Sequence, residues 1–289
     1  MAATLVSIIY GVTFTIAKDV MPEFIEPFGF IVLRVGGSVL LFWMISFFGQ
    51  KEKIAKSDFP RIIAAAFFGV ALNMLTFFKG LSYTSPIMGA VLMVTTPMIV
   101  LILSAIIMKE RMLKRKVFGI VLGLAGTISL ILYGKSMINA PNEMLGNLLV
   151  FINAISYGFY LIIVKKLMDK YNAFTFVKWI YSFGFLMVLP FGWNEFDAVN
   201  WALVPADIYW KIGFVVVFST FLTYLLNLVS MRELKPTTVA VFIYLQPLFA
   251  TIFAISLGKD ELSWVKIGSA ILIFTGVYLV TQKKKVISE

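Results

Sequence analysis

Long apolar runs, divided by short charged segments, are the feature of this sequence that most limits its fold. A membrane-spanning helix needs about 20 mostly apolar residues. Such runs occupy residues 2–17, 28–48, 61–78, 86–108, 117–134, 146–164, 174–192, 212–231, 236–257 and 264–281. The chain is 60% hydrophobic and 14% charged, whereas soluble domains are about 45–50% apolar and about 25% charged. The sequence therefore predicts an all-α membrane protein with ten transmembrane helices.

The loops between these runs differ in their content of Lys and Arg. If the N-terminus is cytoplasmic, the cytoplasmic loops and tail hold 17 of these residues and the opposite loops hold six. The cytoplasmic set is Lys51, Lys53, Lys56, Arg61, Lys109, Arg111, Lys114, Arg115, Lys116, Lys165, Lys166, Lys170, Arg232, Lys235, Lys283, Lys284 and Lys285. Because positive charge is retained on the cytoplasmic side of a membrane, both termini are predicted to be cytoplasmic. The net charge of +10 is then explained without nucleic acid as a partner.

The sequence contains neither Cys nor His. Their absence excludes disulfides, thiol nucleophiles, imidazole acid–base chemistry and metal sites built from Cys or His. All Asp and Glu residues fall in loops, at helix ends or in the tail. A membrane-embedded enzyme would need a convergent nucleophile, base or metal cluster, and the sequence offers none. We therefore expect no catalytic residues, no metal and no cofactor.

The chain contains an internal repeat, for which shared apolar composition is the alternative explanation. Residues 81–126 align with residues 231–276 at a constant offset of 150. This register pairs Pro86 with Pro236, Pro97 with Pro247, Glu110 with Asp260 and Gly126 with Gly276, and an offset of 147 pairs Tyr10 with Tyr157 and Lys18 with Lys165. The predicted repeats are residues 1–134 and 146–282. Each holds five runs, an odd number, so the halves are expected to have opposite orientations. Inverted repeats are typical of carriers whose substrate site lies near the bilayer midplane.

Several short segments resemble the motifs of one family. They are Leu33-Arg34, Thr96-Pro97, Lys109-Glu110-Arg111, the stretch 240–250 around Gln246-Pro247, and Asp260-Glu261-Leu262-Ser263. Together they resemble the EamA family of the drug/metabolite transporter superfamily, over nearly the whole chain. Gln246 and Asp260 depart from the family pattern, in which Glu is frequent at both positions. The resemblance implies ten helices in two inverted repeats, a central cavity, and export or exchange of amino acids or related metabolites across a bacterial inner membrane.

Polar side chains on the predicted spans are the candidates for a substrate site, because polar groups rarely face lipid. Asn153, Tyr157 and Tyr160 follow an i, i+4, i+7 spacing and share one helix face. Arg34 could hold a substrate carboxylate through bidentate hydrogen bonds. The full candidate set is Tyr10, Arg34, Asn73, Lys79, Asn153, Tyr157, Tyr160, Tyr224, Asn227, Tyr244 and Gln246. The alternative for these groups is hydrogen bonding between helices, and for Arg34 and Lys178 a side chain extended to the membrane interface.

Two prolines, Pro97 and Pro247, fall inside predicted spans at repeat-related positions. Proline within a helix removes a backbone hydrogen bond and clashes with the preceding turn. One interpretation is a static kink at each proline. The other is a hinge or a freed carbonyl group at the substrate site, as in the broken helices of transporters.

These features predict a secondary transporter that moves a small polar metabolite by alternating access, in the direction of export. With no acidic residue inside a span, transport is expected to be facilitative, exchange-driven or coupled through another group. A nucleotide-sugar or sugar-phosphate exchanger is the nearest alternative, and it would need several Lys or Arg residues in the cavity. A channel or a structural membrane subunit is a further alternative. The expected partners are a small-molecule substrate and the lipid bilayer, and a monomer is favoured.

Overall fold

The computed structural model describes residues 2–48, 52–83, 92–110, 112–133, 142–256 and 264–282. Its α-helices are α1 (Ala2–Val20), α2 (Pro27–Phe48), α3 (Phe59–Ala66), α4 (Leu72–Tyr83), α5 (Thr96–Ile107), α6 (Lys114–Tyr133), α7 (Glu143–Met168), α8 (Ala173–Asp197), α9 (Ala206–Phe214), α10 (Thr223–Glu233), α11 (Pro236–Val241), α12 (Leu245–Ser256) and α13 (Trp264–Thr281). Every regular element in these ranges is helical. The all-α class predicted from the sequence is therefore confirmed for them.

Five helical rods are long and apolar enough to cross a membrane, judged by length and composition. They are Pro27–Phe47, Lys56–Tyr83, Met144–Met168, Ala173–Asp197 and Ala206–Glu233. Shorter apolar helices cover Ala2–Thr13, Thr96–Ile107, Pro236–Phe249 and Ile267–Thr281. The count of ten crossings and the orientation of the termini stay predictions.

Several helices extend beyond the apolar runs that predicted them. The run at 61–78 continues as helix to Tyr83, so Lys79 lies within α4, and the run at 174–192 continues to Asp197. Hydropathy detects the part of a helix that suits hydrocarbon, and backbone hydrogen bonds carry the same helix further into polar surroundings.

The helices pack in a pattern that is unchanged when the two halves are exchanged. The main neighbouring pairs are α2 with α8, α6 with α13, α4 with α7, α1 with α10, α5 with α7, and α1 with α12. At the offset of 147 to 150, α1 corresponds to α7, α4 to α10 and α5 to α12. The pair α4–α7 therefore corresponds to α10–α1, and the pair α5–α7 corresponds to α12–α1. The pairs α2–α8 and α6–α13 convert into themselves.

Two long rods contain π-helical turns at equivalent places. Phe67–Ala71 joins α3 to α4, and Val215–Leu222 joins α9 to α10. Such turns shift the backbone hydrogen bonds by one residue and are frequent at functional sites. Each turn contributes a hydrogen bond to the buried group around Arg34 described below.

The predicted proline positions coincide with helix starts. Pro97 lies in the first turn of α5, after a turn at residues 94–95, and Pro247 lies in the first turn of α12, after the 3₁₀ turn Phe242–Tyr244. Proline is tolerated there because the first N–H groups of a helix need no partner within it. The interruption therefore precedes each proline. Ser7 of α1 donates to the carbonyl oxygen of Phe242 at 2.8 Å, so one carbonyl at the second interruption has a partner from the other half.

The antiparallel helices α2 and α8 cap each other. Glu195, near the end of α8, accepts hydrogen bonds from the backbone N–H groups of Phe28 and Gly29 at 2.7 and 2.9 Å. Glu52, just after α2, accepts from the N–H of Asn172 at 3.0 Å and from the Thr175 hydroxyl at 2.8 Å. A carboxylate at a helix N-terminus satisfies free N–H groups and complements the helix dipole. These contacts fix both ends of the pair.

Candidate functional site

The interior of the bundle holds a buried cation, Arg34 of α2. Its side chain is 6% exposed. Its Nε donates to the Thr220 hydroxyl at 3.0 Å, and its guanidinium carbon lies 5.1 Å from the centre of the Phe78 ring. Among the residues that the structure describes, no Asp or Glu forms an ion pair with Arg34. Because arginine is always charged in proteins, the structure holds a positive charge here with no counter-ion among the described residues.

The π-helical turn between α9 and α10 positions the hydroxyl group that accepts the hydrogen bond from Arg34. Thr220 donates to the carbonyl oxygen of Val215, five residues earlier, at 2.8 Å, which leaves its oxygen free to accept from Arg34. One turn later, the hydroxyls of Thr223 and Tyr10 lie 3.2 Å apart. Thr220 in this turn and Thr223 at the start of α10 therefore present hydroxyl groups to Arg34 of α2 and Tyr10 of α1.

Four tyrosines extend the site from Arg34 towards α7. Tyr181 and Tyr224, which lie within electrostatic range of Arg34, pack edge to face with ring centres 5.0 Å apart. The ring centres of Tyr224 and Tyr160 are 5.9 Å apart, and those of Tyr160 and Tyr157 are 6.0 Å apart. The four tyrosine rings thus form a continuous aromatic wall, and Arg34 lies at one end of it.

The second π-helical turn, between α3 and α4, offers its carbonyl groups to the other half. The carbonyl oxygen of Gly69 accepts from the Tyr224 hydroxyl at 2.7 Å, and that of Phe68 accepts from Ser156 at 2.6 Å. A Cβ atom on Gly69 would lie 2.1 Å from a ring carbon of Tyr160. Only glycine therefore allows this close approach between the turn and α7.

Some polar atoms near this wall have no hydrogen-bond partner in the described part of the chain. They include Asn153 Oδ1, the Tyr160 hydroxyl and the Ser219 hydroxyl, all fully or almost fully buried. Asn153 does use its Nδ2, which donates to the carbonyl oxygen of Asn73 at 2.7 Å. A buried polar group without a partner costs about 1–3 kcal/mol. Asn153 Oδ1 and the two hydroxyl oxygens can each accept a hydrogen bond.

Ion pairs between the halves lie at opposite ends of the α2–α8 pair. At one end, Lys211 lies 2.9 Å from Asp19. At the other end, Lys170 pairs with Asp58, which also accepts from the Tyr171 hydroxyl at 2.6 Å. The pKa of the Lys170 ammonium is raised mainly by its hydrogen bond with Asp58, and also by its hydrogen bond with Tyr171. In this conformation both ends of the bundle are therefore bridged by polar contacts between the halves.

Known proteins are similar to this chain in sequence and in fold. The family model for EamA-like transporters matches residues 1–132 and 144–282. The chain belongs to the EamA-like transporter family. An uncharacterized transporter of Archaeoglobus fulgidus is 26% identical over 277 residues, which cover 95% of each chain. The uncharacterized transporter YetK of Bacillus subtilis is 25% identical over 234 residues, which cover 80% of this chain and 71% of YetK. A protein of known crystal structure has a TM-score of 0.77 at 15% identity, over 96% of this chain and 95% of its own, so the fold is shared.

This EamA-like transporter is an integral, multi-pass membrane protein of the drug/metabolite transporter superfamily. The resemblance drawn from its short motifs is confirmed by the family match. The relatives are named as transporters, in keeping with transport rather than catalysis.

The structure of the EamA-like transporter brings many of the predicted site residues together. Tyr10 and Tyr224 lie within electrostatic range of Arg34, and the rings of Tyr224, Tyr160 and Tyr157 follow one another as neighbours. Asn73 and Asn153 meet beside this group through their hydrogen bond. Their role in binding a substrate stays a prediction.

Other predicted residues lie elsewhere. Tyr244 is buried in a separate apolar cluster with residues of α6 and α13, and Lys79 lies over the rings of Phe28 and Tyr83, at 5.4 and 4.8 Å from their centres. The described hydrogen bonds do not connect the buried Asn227 or the half-buried Gln246 to Arg34.

The candidate set omitted Thr220, Thr223 and Tyr181, which the structure places beside Arg34 and Tyr10. The two threonines share a helix face with Tyr224 and Asn227, and that face was the available signal. Tyr181 had a clearer signal, because the offset of 147 that pairs Tyr10 with Tyr157 also pairs Arg34 with Tyr181.

Proposed function

We propose that this EamA-like transporter carries a small carboxylate-bearing metabolite, such as an amino acid, by alternating access. The observation behind the proposal is the buried guanidinium of Arg34, which has one hydrogen-bond partner, Thr220, and no described ion-pair partner. A carboxylate matches a guanidinium with two parallel hydrogen bonds. The unpartnered oxygens of Asn153 and Tyr160 are acceptors suited to the ammonium group of an amino acid.

The proposal includes ten membrane crossings in two inverted repeats, residues 1–134 and 146–282, with both termini cytoplasmic. Two observations support it: the helix packing is unchanged when the two halves are exchanged, and Lys and Arg are concentrated in alternate loops. Similar halves in opposite orientations can interchange their conformations, which opens the site to one side and then the other. The family resemblance favours export across a bacterial inner membrane.

The energy source follows from the absence of acidic residues inside the predicted spans. Proton-coupled carriers commonly use intramembrane carboxylates or His. We therefore propose facilitated or exchange-driven transport by a monomer. A sugar-phosphate exchanger is less well supported, because phosphate is best held by convergent cations and Lys79 lies against aromatic rings instead.

A thermal-shift screen of the purified protein tests the substrate class. Amino acids are compared with their amides, in which a neutral carboxamide replaces the carboxylate, and with nucleosides and sugar phosphates. A ligand at 100 times its Kd stabilises the folded state by about 2.7 kcal/mol, so carboxylates are expected to raise the melting temperature while the matched amides do not. Stabilisation by sugar phosphates alone would reject the carboxylate proposal.

Counterflow into proteoliposomes then tests transport of the compounds that bind. Uptake is expected when the lumen holds unlabelled substrate, and without an imposed pH gradient. Strict dependence on the pH gradient would contradict exchange.

A further inference from the structure

A shallow groove lies on the outer surface of the bundle, at the start of α6. Its volume is about 750 Å³. It is lined by Met112, Lys114, Arg115, Val117, Phe118 and Val121. It is separate from the interior site around Arg34, to which none of these residues belongs.

The apolar part of the groove is the outward face of α6. Phe118 is 59% exposed, and Val117 and Val121 are exposed beside it. The opposite face of the helix is buried, with Gly119 and Gly123 packed against α13 and Tyr244. Since this chain is a membrane protein, the exposed apolar face lies where acyl chains would contact it.

The polar part of the groove carries two positive charges. Lys114 is exposed, and among the described residues neither Lys114 nor Arg115 has an ion-pair partner. Arg115 is held in place by Gln282 beyond α13, because its guanidinium donates to the Gln282 side-chain oxygen at 2.8 Å and to its carbonyl oxygen.

Glu110, which precedes α6 in the sequence, does not neutralise these charges. Glu110 is engaged by Lys116 at 2.6 Å and by Lys235 at 3.6 Å, and it accepts from Thr237 at 3.1 Å. Its own side chain is buried. The groove therefore keeps a net positive end next to an apolar floor.

We infer that this groove binds an anionic phospholipid, with the phosphate at Lys114 and Arg115 and an acyl chain along Val117, Phe118 and Val121. Basic sites at the membrane surface attract anionic headgroups, and the apolar floor distinguishes a lipid from a soluble phosphate. A second copy of the chain fits less well, because a symmetric contact places the same patch on both partners and would bring like charges together.

Native mass spectrometry of the purified full-length protein tests this site. The protein is titrated with phosphatidylglycerol or phosphatidylcholine, and the bound lipids are counted. Phosphatidylglycerol is expected to bind first and about tenfold more tightly or better, because each basic side chain near a charged headgroup contributes about 1 kcal/mol. The double variant Lys114→Gln/Arg115→Gln is expected to reduce the preference to within about threefold.

Two further variants keep the test decisive. Lys114→Gln alone removes an exposed side chain with no described contact, so folding is not at risk, and it is expected to lower the preference about fivefold. Lys53→Gln/Lys56→Gln removes two exposed cations from another loop and is expected to leave the preference intact.

An equal loss in the Lys53→Gln/Lys56→Gln control would overturn the inference in favour of general surface attraction. Displacement of the lipid by equimolar glycerol 3-phosphate would show a headgroup site only. A lipid-free dimer lost in the Lys114→Gln/Arg115→Gln variant would show that the groove holds a second copy.

Discussion

Two antiparallel helix pairs, α2–α8 and α6–α13, occupy self-equivalent positions in the fold but are built differently. In α6–α13, backbones touch along the crossing: a Cβ atom on Gly276 would lie 2.5 Å from the carbonyl oxygen of Gly119. In α2–α8, such close approach occurs at one end, where a Cβ on Gly192 would lie 2.2 Å from the carbonyl oxygen of Phe28. Further along α2, a polar side chain, Arg34, points into the bundle instead.

The difference indicates that α6–α13 is a closely packed support and that α2–α8 borders the candidate site. Backbones in direct contact leave no room for a ligand and resist rearrangement, because packed interiors tolerate little change of volume. Large polar side chains hold their helices apart and need partners in the low-dielectric interior. The repeat places Arg34 and Tyr181 at equivalent positions, so the position that corresponds to Arg34 in the other half holds no cation. This asymmetry favours a ligand with a single negative group.

Replacing Arg34 should produce the largest functional effect. Arg34→Gln is expected to lower transport about 100-fold, because a hydrogen bond to a charged group contributes roughly 1.5–3 kcal/mol. Thermal stability in detergent should be equal to wild type or higher, since an unpaired buried charge is removed. The control is Lys178→Gln. The Lys178 ammonium lies 4.6 Å from the centre of the half-buried Trp43 ring, and its loss should change transport less than twofold. Wild-type transport by Arg34→Gln would show that Arg34 has no part in transport.

The opposite result is expected in the α6–α13 pair. Gly276→Val inserts a branched side chain against the backbone of Gly119 and Gly123, and overpacking of this kind costs about 1–3 kcal/mol of folding free energy. The melting temperature should fall, while transport per folded molecule stays unchanged. Gly268→Val on the same helix is the control, because a Cβ there has no neighbour within 4 Å. Equal melting temperatures for the two variants would argue against tight backbone packing at Gly276.

A smaller effect is expected where a side chain links α10 to the π-helical turn between α3 and α4. Tyr224→Phe removes the hydroxyl that donates to the carbonyl oxygen of Gly69, and hydrogen bonds between membrane helices contribute about 0.6 kcal/mol on average. Transport should decrease roughly threefold with a small loss of thermal stability. Tyr278→Phe, at a ring 61% exposed on α13, should change neither quantity. If both variants behave alike, the Tyr224 bond has no special role.

The sequence predicted the helical class and the family well, because apolar runs and short motifs are local features. It predicted helix ends less well: Lys79 was placed at the end of a span and lies within α4. At Pro97 and Pro247 it predicted a kink or a hinge inside a span, whereas the structure places each proline in the first turn of a helix that follows an interruption. Proline fixes its own backbone angle, but neighbouring helices decide which turn precedes it.

The residues of the candidate site were only partly predictable for a related reason. Spacing along one helix shows which side chains share a face, as for Asn153, Tyr157 and Tyr160, but it does not show which neighbour that face meets. Tyr244 has the same residue type as Tyr224, yet it is buried against Gly123 in an apolar cluster. No local pattern distinguishes the two.

The amino-acid sequence by itself determined that this chain forms apolar helices in two similar halves with a strongly uneven distribution of Lys and Arg, because these properties depend on composition and periodicity along the chain. Only the tertiary structure decided that Arg34 meets Thr220 and a wall of tyrosines with no described acid beside it, and that glycines bring α6 and α13 into backbone contact. Those outcomes depend on how each helix is rotated against several others at once, which is set by packing of the whole bundle.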